Sequence, residues 1–92
     1  MGHTKPEQLK DLQSILDQVR EWPDIKEKSP NIFYFKSKPF LHFHTKDDKR
    51  WADVRDGETW GSPLAIDFKS TAPERKSFLK AVESRYKKLI KS

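Results

Sequence analysis

The stretch FLHFHTKDDKRWADVR, Phe40 to Arg55, decides the fold of this chain. Apolar and polar residues alternate on either side of Lys46-Asp47-Asp48-Lys49, the pattern of two half-buried strands, Phe40 to Thr45 and Arg50 to Arg55, joined as an antiparallel hairpin. A period of two sends neighbouring side chains to opposite faces. Leu41, Phe43, Ala52 and Val54 then share a core side. Phe40, His42, His44, Trp51, Asp53 and Arg55 share the other.

Two more strands flank the hairpin. Ile32 to Lys36 (IFYFK) precedes it across Ser37-Lys38-Pro39, and Leu64 to Lys69 (LAIDFK) follows it after an Asp56-Gly57 turn and the longer connection Glu58 to Pro63. The links within the first three strands are too short for parallel crossovers, so the four are expected to form an antiparallel meander. Leu64, Ile66 and Phe68 add to the core side and Asp67 to the opposite one. Ile32, Phe33, Tyr34 and Phe35 leave neither face polar, which makes Tyr34 a candidate for the open side.

Helices are expected at both ends. Thr4-Lys5-Pro6-Glu7 has the spacing of a capping box, and Leu9, Leu12, Leu16 and Val19, with Ile15 beside them, form one apolar stripe that Trp22 extends and Pro23 stops. The segment Asp24 to Asn31 reads as a polar connection. Thr71-Ala72-Pro73-Glu74 repeats the capping spacing, and Phe78, Leu79, Val82, Tyr86, Leu89 and Ile90 fall on one side of the helix it opens. The expected fold is one α+β domain over residues 1–92. It has two layers: an N-terminal and a C-terminal helix on one face of a four-stranded antiparallel meander.

At 92 residues the chain has room for one modest core. It contains no cysteine, so disulfides and thiolate metal sites are excluded, and it shows neither a signal peptide's apolar core nor a membrane-spanning run. A cytoplasmic protein without membrane contact is expected. The net charge of +5 comes from residues 74 to 92, where seven basic residues face Glu74 and Glu83; residues 1 to 73 balance. A basic helix attracts nucleic acid through a sequence-independent field, yet dispersed lysines on an amphipathic helix also serve as a solvated face, and the second reading is preferred.

Function is therefore sought on the open side, where Tyr34, Phe40, His42, His44, Trp51, Asp53 and Arg55 make a surface more aromatic than water requires. Covering it with a second copy about a two-fold axis makes homodimerisation the leading expectation. His42 and His44, two apart on a strand, project to the same side and with Asp53 supply three metal-ligand types; Arg55 adds a group for an anionic small molecule. The plainer reading, which is preferred, has the histidines hydrogen-bonded to Asp53 or Asp67, or half-exposed across a dimer contact, with no ion, and His3 belongs to the N-terminal end and not to the set. Base stacking on Trp51, Phe40 and Tyr34 is a further alternative, not favoured, because the basic helix is expected behind the sheet and the element order is not that of a common RNA-binding module. A histidine–carboxylate pair is all that catalysis has to draw on: there is no cysteine nucleophile and no glycine-rich loop, with only three glycines in the chain. The reading is a non-catalytic interaction or ligand-binding domain with no cofactor.

Several of these residues also carry a resemblance. Trp22-Pro23 after a first helix, an aromatic strand, Pro39-Phe40-Leu41-His42-Phe43-His44, a strand ending Asp53-Val54-Arg55 and a last helix reaching Tyr86 together resemble the small domain of unknown function known as luciferase-type. The likeness implies the α+β arrangement and points to the His-x-His strand; it carries over no catalytic residue and does not imply light emission. The chain departs from that pattern in lacking a further histidine segment before the last strand.

Overall fold

The computed structural model describes residues 4–91. It is an α+β fold in which a 3₁₀ segment (Pro6–Leu12) runs into helix α1 (Gln13–Arg20), six strands follow, and helix α2 (Ala72–Lys91) closes the chain. The strands are β1 (Ile25–Ser29), β2 (Ile32–Phe35), β3 (Lys38–Lys46), β4 (Lys49–Asp56), β5 (Thr59–Trp60) and β6 (Leu64–Ala65). All pairings are antiparallel; the order is β1-β2-β3-β4-β5, and β6 pairs with the start of β4, where β5 does not reach. The expectation of four strands is thus corrected to six.

The hairpin behaves as its alternation requires. Leu41 pairs with Val54, His42 with Asp53, Phe43 with Ala52 and His44 with Trp51, with the first and third pairs buried and the others half-exposed. Phe40 does not follow the rule. Phe33 pairs with Leu41 and Tyr34 with Pro39, so Phe40 is an extra residue in a bulge. Pro39 has no N–H for the ladder, which favours a break there, and the inserted residue turns to the core side. Phe40 is fully buried, its ring 6.2 Å from that of Tyr86, and its placement on the open face is corrected. Within β2, Phe33 and Phe35 are buried and Tyr34 lies opposite them.

β1 occupies part of the segment expected to be a connection. Only Ile25 of its residues is half-buried, so no apolar alternation announces it; lysines suit an exposed edge strand. Its anchor is polar. Glu27 accepts from Arg20 Nε at 2.8 Å and, through Oε2, from the Asn31 amide at 2.7 Å. The four hairpin connections are two residues long, and each has one residue in the left-handed region: Asn31, Lys36, Asp47 and Gly57.

Thr71 and Glu74 form the expected capping box, Glu74 Oε1 accepting from the Thr71 amide at 2.7 Å and Thr71 Oγ1 from the Glu74 amide at 3.3 Å. At the other end the box is displaced by one residue, since Gln8 Oε1 accepts from the Lys5 amide. Where the 3₁₀ segment ends, the Gln13 side chain donates to the Leu9 carbonyl at 3.0 Å while its amide turns to Lys10. Leu9, Leu12, Leu16 and Val19 from this end, Phe33, Phe35, Phe43 and Val54 from the sheet, and Phe78, Val82, Tyr86 and Leu89 from α2 belong to one buried cluster. Tyr86 ties both ends together by stacking on Trp22 at 4.8 Å and donating to the Pro23 carbonyl at 2.8 Å. Ile90, expected inside, is 50% exposed.

Arg50 holds the remaining corner. It has the core parity of Ala52 and Val54, its side chain is fully buried, and all five of its N–H donors are engaged. Nε donates to Ile66 O (2.7 Å); Nη1 to Gln8 O and Asp11 Oδ1 (both 2.7 Å); Nη2 to Asp11 Oδ2 (2.8 Å) and Asp67 O (2.9 Å). The carbonyls of Ile66 and Asp67 thus bond a guanidinium instead of a neighbouring strand, and β6 stops at Ala65, well short of the expected Lys69. Phe68 is 37% exposed, with the Arg50 guanidinium 4.6 Å from its ring centroid, not inside as expected.

Hydrogen bonding by Arg50 holds the Asp11 carboxyl below its ordinary range, as Arg20 does for Glu27 and Lys88 for Asp56. A carboxylate whose folded pKa is depressed stabilises the fold above its unfolded value, near pH ~4, and loses that stabilisation as pH falls through the folded value. The urea midpoint is therefore expected to fall between about pH 5 and 2.5. Asp11→Asn should start lower at neutral pH and converge with the parent in acid; a parent midpoint that stays flat across this range would contradict the assignment.

Candidate functional site

The face opposite the core carries a connected set of rings. His42 and His44 meet edge to face at 4.7 Å, His44 stacks on Trp51 at 5.6 Å with 24° between planes, and His42 meets Trp60 edge to face at 4.8 Å. Arg55 lies over Trp60, its guanidinium carbon 5.2 Å from the ring centroid. Trp51 and Trp60 therefore fix the orientation of both imidazoles from opposite ends. Tyr34 continues the surface toward β1, where Lys28 Nζ is 4.5 Å from its ring centroid.

Asp53 sits beside the histidines because it pairs with His42 across the ladder. One ligand atom each from His42, His44 and Asp53 lies within 4.8 Å of the others, all three residues being half-exposed. His44 Nε2 is 2.8 Å from Asp53 Oδ2. That distance alone would suggest a hydrogen bond. Yet Nε2 is shielded from solvent and has no partner with hydrogen-bonding geometry among the described residues, so this is a close approach without an aligned N–H···O bond.

Arg55 has a structural role as well as an exposed position. Its Nε donates to Pro39 O at 2.7 Å and its Nη1 to Glu58 O at 2.9 Å, which pins the β4–β5 turn to the start of β3. A hollow of about 260 Å³ opens between Tyr34, Pro39, His42 and Trp60 and runs to the Pro30-Asn31 turn. It lies just below the roughly 300–1,000 Å³ typical of drug-sized ligands and suits a single flat ring.

The structure thus brings Tyr34, His42, His44, Trp51, Asp53 and Arg55 to one face and removes Phe40 from it. Asp67 lies apart, its carbonyl bonded to Arg50, and His3 is outside the described residues. Trp60 is the residue that sequence reasoning missed. It stands in a two-residue strand after a turn, too short to show alternation, and only its pairing with Arg55 places it on this side.

These features define a small α+β domain with a half-exposed, aromatic and histidine-bearing sheet face. In comparison with known proteins, no family model, no curated protein and no solved structure matches the chain. Among the described residues, no helix is long and apolar enough to cross a membrane.

Proposed function

We propose that the chain is a non-catalytic binding domain whose working surface is this sheet face, and that a divalent transition-metal ion is held there by His42, His44 and Asp53. The observation that carries the reading is the convergence of two imidazoles and a carboxylate within 4.8 Å. Tetrahedral zinc ligands at about 2.0–2.2 Å lie roughly 3.3–3.6 Å from one another, so on binding an ion the 2.8 Å approach of His44 Nε2 to Asp53 Oδ2 would open and the wider separations, up to 4.8 Å, would shorten. An ion between Nε2 and Oδ2 also gives the His44 nitrogen the partner that the unaligned contact does not. Three protein ligands leave a fourth position for an exogenous group, an anion included.

Both helices are taken as one layer over the core side of the sheet, which the Phe43–Phe78 and Phe35–Tyr86 ring contacts support for α2 and the burial of Ile15, Leu16 and Val19 in the same cluster supports for α1. Self-association through the free face is a second reading, favoured by Trp60, which is 41% exposed. Zinc titration followed by histidine ring NMR tests the first: one equivalent should shift His42 and His44 together, and His44→Ala should weaken binding by about 10–100-fold or more. Unshifted histidine rings at saturating zinc would remove the metal site. Sedimentation velocity on the same samples tests the second, for which a monomer at high concentration is the opposing result.

A further inference from the structure

The strand register gathers cations on the face that holds the aromatic rings. Lys26 pairs with Tyr34, Lys46 with Lys49, and Arg55 with Trp60. Lys46 shares the side of His42 and His44, and Lys49 that of Trp51 and Asp53, because each is an even number of residues away along its strand. Lys28, the extra residue of the β1 bulge, reaches over Tyr34. Five cations therefore surround Tyr34, His42, His44, Trp51 and Trp60, against Asp53 as the one strand carboxylate among these positions. Glu27 is turned to Arg20, Asp56 to Lys88, and Asp47, Asp48 and Glu58 are in turns at the perimeter.

This arrangement differs from a face built to pack on its own copy, because a two-fold contact would bring lysine-rich rims together. It has the two parts that a flexible polyanion of flat rings requires: stacking surfaces in the middle and ammonium or guanidinium groups around them for phosphates. We infer that the sheet face binds single-stranded nucleic acid, with bases on Trp60, Trp51 and Tyr34 and the backbone along Lys26, Lys28, Lys46, Lys49 and Arg55. The hollow beside Trp60 and His42 takes one base. Duplex buries the ring faces that these side chains would use, so single strands are preferred. The lysines of α2 form a separate basic surface, where Lys80, Lys87, Lys88 and Lys91 line their own shallow groove.

The inference rests on the sheet face being the working surface; it does not require a metal ion. The test uses the full chain and a fluorescein-labelled fifteen-base oligo(dT), about 15 nucleotides being near the upper end of one small sheet's site size. Anisotropy and tryptophan fluorescence are read at increasing salt, with and without zinc. The expected result is quenching of tryptophan on binding, affinity that falls as salt rises, and losses of about tenfold each for Trp60→Ala and Trp51→Ala. Lys80→Ala with Lys87→Ala should stay within about twofold of the parent, since surface lysines remote from the site contribute little. Circular dichroism confirms that each variant folds, and Trp60→Phe, which keeps a stacking ring, should recover much of the loss.

Four outcomes overturn the inference: no binding at low salt, equal affinity for duplex, equal displacement by heparin without tryptophan quenching, or loss confined to the α2 variants. Zinc binding without oligonucleotide binding would sink this inference and leave the metal reading standing. Oligonucleotide binding with unshifted histidine rings in zinc would do the reverse.

Discussion

Arg50→Met is expected to lower the stability of the domain by about 3–5 kcal/mol, a large part of the roughly 5–15 kcal/mol available to a folded domain. The guanidinium bonds the 3₁₀ segment, through Gln8 O and Asp11, to the chain after β6, through Ile66 O and Asp67 O. Methionine fills similar volume but leaves those carbonyls without their donor in a corner where the Arg50 side chain is fully shielded from solvent. Lysine keeps the charge yet offers a point in place of a fork, so Arg50→Lys should still cost about 2 kcal/mol. Asp11→Asn should cost less than Arg50→Met, because the Asp11 side chain is 34% exposed and water can replace part of what it loses. Urea unfolding of the three variants checks the order; a loss under about 1 kcal/mol for Arg50→Met would show that the five bonds do not hold the corner.

Phe40→Ala is expected to cost about 3–5 kcal/mol, the range for removing a buried aromatic ring. Phe40 is fully buried against Tyr86, which itself packs on Phe35 and Trp22. Phe40→Leu keeps much of the volume and should cost about 1.5 kcal/mol. Trp60→Ala, by contrast, truncates an exposed ring and should change stability by only about 0.5 kcal/mol. The pair separates the two sides of the sheet: Phe40→Ala should act on folding and Trp60→Ala on the proposed binding. A Phe40→Ala variant as stable as Trp60→Ala would return Phe40 to the exposed side and undo the bulge.

Much of the architecture is legible in local chemistry. The Thr71 to Glu74 box opens α2 where the spacing predicts, and the alternation from Leu41 to Thr45 and from Arg50 to Arg55 gives the central ladder its two faces. Illegible features share a physical cause: they depend on partners distant in sequence. A bulge at Phe40 leaves the pattern of FLHFHT unchanged, because the inserted residue is itself aromatic and fits either side. β1 lacks apolar residues beyond Ile25, since an edge strand with exposed side chains needs none. The parity of Arg50 with Ala52 and Val54 was a visible sign that it points inward, but its acceptors lie on segments that only the fold brings together.

The site shows the same division. His42, His44, Trp51, Asp53 and Arg55 are legible as one face because a single hairpin carries them. Trp60 and the lysines of β1 join that face through pairing alone, and this changes its character from aromatic to aromatic and cationic. Net charge located the basic excess in the last helix. It did not show that Lys26, Lys28, Lys46 and Lys49, balanced by acids elsewhere in sequence, collect on the sheet.

The sheet face, and not α2, is the surface proposed to meet this domain's ligands. Titrating the isotope-labelled chain first with zinc and then with oligo(dT), while following backbone amide and tryptophan indole resonances, tests it most directly. Shifts are expected at His42, His44 and Asp53 in the first step and at Tyr34, Trp51 and Trp60 in the second, with Lys80, Lys87 and Lys91 unmoved. Shifts confined to the lysines of α2, with both indoles of the face stationary, would contradict it.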